Sequence, residues 1–143
     1  MDGYKKSSHA VYDIKYHVIW VTKYRYRVLR GKIAVRVREL IRQGCEARGI
    51  TILQGSVGKD HVHLLLSFPP RIAPSKILQY LKGRSSRLIQ EEFPERKKRY
   101  WGQHLWARGY FCATVGTVTE EMIRNYIANQ LKKGKDDIFR IEE

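Results

Sequence analysis

Only two cysteines occur in the chain, Cys45 and Cys112, and no CxxC pair is formed. That pattern points away from a sulfur-built metal cage or a disulfide framework. Cys45 falls in a helical pattern and Cys112 in a strand pattern, so both read as small buried apolar residues. No apolar run reaches about eighteen residues, so no membrane span is predicted. The opening MDGYKKSSHAVYDIKY carries no apolar signal segment ahead of a cleavage site, and an intracellular location is expected. Repeats, low-complexity tracts and flexible linkers are also absent from the pattern. Acidic residues are scarce: 14 Asp and Glu stand against 28 Lys and Arg, a formal charge of +14. Such a surplus lowers the cost of binding a polyanion and speeds the encounter. Nucleic acid is the leading partner class, an anionic membrane surface the weaker one.

At 143 residues and 43% apolar composition, one domain with a modest core is expected. Residues 12–23, YDIKYHVIWVTK, alternate as a strand, with Tyr12, Ile14, Tyr16, Val18 and Trp20 on one parity. Ile33, Val37, Leu40 and Ile41 recur at helical spacing between Gly31 and Gly49, and Gly44 weakens that helix slightly. Residues 50–57 and His61 to Ser67 read as a hairpin across Gly58-Lys59-Asp60. A helix follows from about Pro74 to Glu92, with Lys76, Lys82, Arg84 and Arg87 outward. A basic connector, FPERKKRYWGQ, leads to a strand from Trp106 to Val115. A last helix spans about 118–133, where Thr117 and Glu120 fit a capping box and Gly134 a stop. The predicted fold is α+β: a split βαβ arrangement, ferredoxin-like, with two helices on one face of a four-stranded antiparallel sheet. The C-terminal helix is free to cover the other face, in this chain or in a partner.

The chemistry centres on His61-Val62-His63. A strand has a side-chain period of two, so the two histidines share one face and Val62, Leu64 and Leu66 the other. Buried imidazoles are costly unless hydrogen-bonded or ligating. Neutral imidazoles at alternate strand positions can share a metal ion. Tyr126 and Gln130 stand four apart on the last predicted helix and hence on one side of it. Were that side to face the histidines, Gln130 can add an oxygen ligand and Tyr126 a nucleophile for a polarised phosphate. Each residue taken singly also has an ordinary role. The His-apolar-His triplet is short, Tyr126 suits packing, Gln130 suits a solvated helix face, His17 suits a satisfied sheet histidine, and His104 suits water as well as phosphate.

The combination is more specific than its parts. YHVIWVTKYRYRVL, GSVGKDHVHLLLSFPP, SKILQYLKGRSSR and WARGYFCATVGTVTEEMIRNYIANQ occur in order over nearly the whole chain. Together they resemble the small single-tyrosine transposases of the IS200/IS605 type, within the wider HUH endonuclease group. The resemblance implies that residues 1–143 form one HUH transposase domain whose C-terminal helix moves or docks on the partner subunit. It implies His61, His63 and Gln130 as metal ligands, for Mg2+ or Mn2+, and Tyr126 as the nucleophile. It implies single-stranded DNA hairpins at the ends of an insertion sequence as substrate, a 5′-phosphotyrosine link with a free 3′-OH, then strand joining. It implies a homodimer with composite active sites, in a prokaryotic cytoplasm and at the nucleoid when DNA-bound, with no membrane partner. Lys23, Arg25, Arg27, Lys82, Arg84, Arg87, Lys97, Lys98 and Arg99 are the candidate DNA contacts, mostly to phosphates. Tyr24, Tyr26, Tyr80, Tyr100 and Trp101 are candidate base-stacking rings. The rival readings are a domesticated relative that processes repetitive hairpin DNA, a nucleic-acid-binding module without cleavage, and hydrolysis by metal-activated water.

Overall fold

The computed structural model describes residues 4–6, 10–96, 104–115 and 138–142. The predicted helix over 118–133, with Tyr126 and Gln130, lies outside these residues, as do Lys97, Lys98, Arg99, Tyr100 and Trp101.

Two short strands, β1 (Lys5–Lys6) and β2 (Val11–Tyr12), pair antiparallel beside the main sheet. The main body runs β3 (Ile14–Val21), α1 (Gly31–Ala47), β4 (Thr51–Val57), β5 (His61–Phe68), α2 (Pro74–Glu92), β6 (Phe111–Thr114) and β7 (Phe139–Ile141). The sheet has five strands in the order β6-β3-β5-β4-β7. Its first four are antiparallel to their neighbours, and β7 lies parallel to β4. The four-stranded expectation is therefore corrected to five. The added strand is three residues long and pairs across more than eighty positions of sequence, so no local period announces it.

The alternation of β3 and β5 decides where the core lies. Val18 and Trp20 on β3, and Val62, Leu64, Leu66 and Phe68 on β5, are all essentially inaccessible and meet the helices. From α1 they meet Ile33, Val37, Leu40 and Ile41; from α2 they meet Ile77, Leu78, Leu81 and Ile89. Each such side chain contributes about 1.5–3 kcal/mol on burial. Helix α1 stops where the chain takes the left-handed turn at Gly49, φ +71°. Gly49 N–H donates to Glu46 O and Ile50 N–H to Cys45 O, a Schellman closure. Helix α2 starts with Pro74 at its first position, where the missing N–H costs nothing.

The strand expected from Trp106 to Val115 is shorter. Only Phe111–Thr114 pairs as a strand, and Trp106 makes an isolated bridge to Thr22. Gly109, at φ +81°, breaks the extended run between them. Trp106 still anchors the segment: its Nε1–H donates to Ser85 Oγ at 2.9 Å, and its ring meets Trp20 edge-on at 5.8 Å.

Two helix-interior glycines have opposite surroundings. A Cβ on Gly44 would lie 2.6 Å from Leu81 Cδ2 and 3.2 Å from Tyr80, whereas one on Gly83 meets nothing within 4 Å. Gly44 is thus the point of close approach between α1 and α2. Gly83→Ala is expected to raise stability by about 0.5–1 kcal/mol through helix propensity. Gly44→Ala is expected to lower it by about 1 kcal/mol net, because overpacking outweighs the same gain. Urea titration of both variants checks the pair, and equal shifts would contradict the close crossing.

Candidate active site at the histidine pair

With Val62, Leu64 and Leu66 committed to the helices, His61 and His63 emerge on the opposite sheet face, as their parity predicts. The register sets His63 between Ile19 on β3 and Ser56 on β4, and His61 opposite Val21. The two rings stand 4.5 Å apart between centroids, tilted by 54°. His17 joins the row, 6.1 Å from His63. The face is not bare, since His63 is buried and Leu65, below it, packs with Leu53 and Val115.

The environments of the two histidines differ. Burial, reinforced by the neighbouring His61 charge, pushes the His63 pKa down to about 4. His63 is therefore a neutral imidazole at ordinary pH, the form that ligates metals. His61 is raised instead. The Glu142 carboxylate is the leading cause, burial opposes it, and Asp60 adds to it. Asp60 Oδ1 takes His61 Nδ1 at 2.6 Å, and Nε2 stands 3.5 Å from Glu142 Oε2. A carboxylate on the far ring nitrogen is the usual way a ligating histidine is oriented. Asp60 itself is pushed up by burial but more strongly down by His61 and Arg25, whose Nε lies 3.2 Å from Oδ2.

Space for the His61 ring comes from Gly58. A Cβ there would sit 2.4 Å from Cε1 and 2.5 Å from Nε2 of the imidazole. The hairpin turn thus cradles His61, and any side chain at Gly58 displaces it. Among the described residues, no three His, Cys, Asp or Glu side chains converge as a ready metal cage. The two histidines nonetheless suit a divalent ion: one is neutral, the other has Nδ1 held by Asp60, and the cradle keeps the ring in place.

The basic residues divide into two groups. Lys82 Nζ donates to Ala107 O at 3.0 Å and Gly109 O at 2.7 Å, and Arg84 donates to Leu40 O and the Gln43 side chain. Both fasten the fold at least as much as they present charge. Arg27 and Arg87 are exposed, and Arg25 is exposed while paired to Asp60. Lys23, Lys82 and Arg87 line a cleft of about 1100 Å³ with Tyr24, His104 and Arg108. Neither His61 nor His63 borders that cleft. Tyr24 is well exposed and edge-on to Tyr26, whereas Tyr80 is engaged by the Arg48 guanidinium at 4.0 Å. Three contributors escaped the sequence reading as site residues: Gly58, Asp60 and Glu142. Asp60 and Gly58 adjoin the histidine motif, so proximity was a usable signal; Glu142 offers none.

This fold has counterparts among known proteins. The chain belongs to the IS200-like transposases, whose family pattern matches residues 10–130. The transposase for insertion sequence element IS200 of Salmonella typhimurium (strain LT2) is 36% identical over 135 residues, covering 94% of this chain and 88% of that protein. The ISDra2 transposase TnpA of Deinococcus radiodurans is 37% identical over 129 residues, covering 90% and 92%. A crystal structure of a candidate transposase from Deinococcus radiodurans superposes with a TM-score of 0.74 at 36% identity, over 88% of this chain and 97% of that one. A REP-associated tyrosine transposase bound to a REP hairpin shares the fold, with a TM-score of 0.51 at 12% identity over 87% and 67%. Like its relatives, this chain is a DNA transposase.

Gly58→Ala is expected to displace the His61 ring and cut DNA cleavage at least tenfold while leaving the far-UV spectrum and melting temperature close to wild type. Unchanged cleavage would show that the ring position does not matter.

Proposed function

We propose that this transposase cuts and rejoins single-stranded DNA by attack of Tyr126 on a phosphodiester, with His61, His63 and Gln130 holding a divalent ion, Mg2+ or Mn2+. The observation that carries the reading is the histidine pair: two imidazoles on one sheet face, 4.5 Å apart, one neutral and one oriented by Asp60. Tyr126 and Gln130 lie inside the family-matched stretch, residues 10–130.

When bound, the ion polarises the scissile phosphate and offsets charge in the transition state. His61, with Nδ1 on Asp60, and His63, a neutral imidazole, would hold that ion. The Tyr126 oxygen forms a bond to phosphorus as it loses its proton. The bond from phosphorus to the 3′ oxygen breaks, and that oxygen leaves as a protonated 3′-OH. The 5′-phosphotyrosine retains the phosphodiester energy, so a second 3′-OH can displace Tyr126 without ATP.

The reading extends to one domain over 1–143, built on a ferredoxin-like split βαβ core, with the Tyr126 helix docked in a homodimer. Its DNA is a hairpin at an element end, and the solved relative on a REP hairpin supports that substrate class. Its place is the prokaryotic cytoplasm, at the nucleoid when bound to DNA; among the described residues no helix is long and apolar enough to cross a membrane. Exposed Arg27 and Arg87 are the better phosphate contacts, Lys82 and Arg84 the poorer.

The decisive experiment incubates the protein with labelled single-stranded DNA carrying an end hairpin and its flank, with Mg2+ or Mn2+, on denaturing gels. A metal-dependent covalent adduct is expected, and Tyr126→Phe is expected to abolish it. Cleavage retained without an adduct would favour activated water, and binding without cleavage a DNA-binding relative. In salt titrations, Arg87→Ala is expected to lower the slope of log affinity by about one. Arg84→Ala is expected to lower stability and leave that slope nearly unchanged.

A further inference from the structure

Helix α2 carries a glycine that the fold does not ask for. Gly83 lies mid-helix without a positive φ, and a Cβ there would meet nothing within 4 Å. Unlike Gly44, it has no neighbour that needs its smallness, yet a helix-interior glycine lowers stability relative to alanine. The open space beside it belongs to the cleft of about 1100 Å³. Glycine is also the residue that lets a ligand approach a backbone closely.

The same lining presents an aromatic ring. Tyr24 is 73% exposed, although it is large and mostly apolar. Its turn is tied in place: Lys23 N–H donates to Leu105 O, and Thr22 Oγ1 donates to Tyr26 O. Those ties hold Tyr24 and Arg25 at φ +54°, and strain held in this way clusters at ligand sites. Lys23 Nζ stands 5.4 Å from the centre of the Tyr24 ring, so a cation lies beside a stacking surface. Arg87 and Arg108 add positive charge. Among the described residues of the lining the single carboxylate is Glu91, 3.6 Å from Arg87.

These features discriminate between forms of a polyanion. A duplex keeps its base faces stacked inside and offers a protein groove edges and phosphates. An exposed ring has no base face to meet there. A single strand offers base faces and phosphates together. The volume exceeds the roughly 300–1,000 Å³ of a small-molecule pocket, which leaves room for more than one nucleotide.

We propose that this cleft binds unpaired nucleotides of the DNA substrate, with a base stacked on Tyr24 and the strand lying against the α2 backbone at Gly83. The proposal rests on the single-strand reading above and adds a site that the histidine pair does not border.

Fluorescence anisotropy of a labelled oligothymidine, and of a blunt duplex of mixed sequence, tests it with the full chain in EDTA. Tyr24→Ala and Gly83→Leu are each expected to weaken oligothymidine binding about tenfold and to change duplex binding by less than about twofold. Tyr24→Phe keeps the ring and is expected to bind like wild type. Tyr24→Ala is expected to leave the salt slope on oligothymidine unchanged, whereas Arg108→Ala lowers it by about 0.7. Thermal melts check that the variants fold. Wild-type oligothymidine affinity in either Tyr24→Ala or Gly83→Leu, or an equal loss on the duplex, overturns the proposal. Should Tyr24→Ala fail to fold, Gly83→Leu decides alone. The Tyr126 adduct is read separately on the hairpin substrate: its absence sinks the cleavage reading and leaves the cleft to these affinities.

Discussion

Strand β5 cannot bury Val62, Leu64, Leu66 and Phe68 under the helices without sending His61 and His63 to the opposite face. The constraint is steric and period-two, so it tolerates no local compromise. A slip by one residue would expose four large side chains at a cost of about 6–12 kcal/mol. That is comparable to the whole stability of a domain this size. The positions of the two imidazoles are therefore held by hydrophobic burial on the far side of the sheet. A pair placed this way needs little help from its own hydrogen bonds to stay in register.

Burial sets position, but polar neighbours set protonation. His61 and His63 are two residues apart, yet their pKa values move in opposite directions. His63 sits deeper and beside His61, so its charged form is penalised. His61 lies at the strand's start, where the hairpin turn supplies Asp60 and the edge strand β7 supplies Glu142. The turn also supplies the empty volume at Gly58 that the ring requires. Mid-strand His63 lies between Ile19 and Ser56, strand partners that carry no charge.

Much of this was legible in the sequence, because the main elements are governed by local periods. The alternation of β3 and β5, the spacing of Ile33, Val37, Leu40 and Ile41, and Pro74 at a helix start each translate directly into the observed elements. The misses share a cause. Strand β7, the break at Gly109 and the Gly44 crossing depend on what approaches from elsewhere in the chain. Lys82 and Arg84 fall on the polar side of α2 by periodicity, but their long stems reach carbonyls on neighbouring segments. Glu142 lies 81 positions beyond His61, and nothing in its neighbours hints at the meeting. Helical spacing puts Tyr126 and Gln130 on one side of a predicted helix, and their roles rest on the family resemblance.

The basic cleft and the histidine pair are separate surfaces, but one carboxylate is common to their supports. Asp60 holds His61 with Oδ1 and Arg25 with Oδ2, and its backbone carbonyl accepts from Thr22 N–H at 2.9 Å. Thr22 Oγ1 in turn donates to Tyr26 O, closing the turn that carries Lys23 and Tyr24 into the cleft wall. Within that turn Tyr24 and Arg25 both adopt φ +54°, a left-handed conformation that costs a non-glycine residue about 1 kcal/mol. The strain persists because Thr22 and Asp60 tie the turn from both sides. A cleft wall and an imidazole braced by the same carboxylate cannot be repositioned independently. That shared brace fixes the distance between the two surfaces.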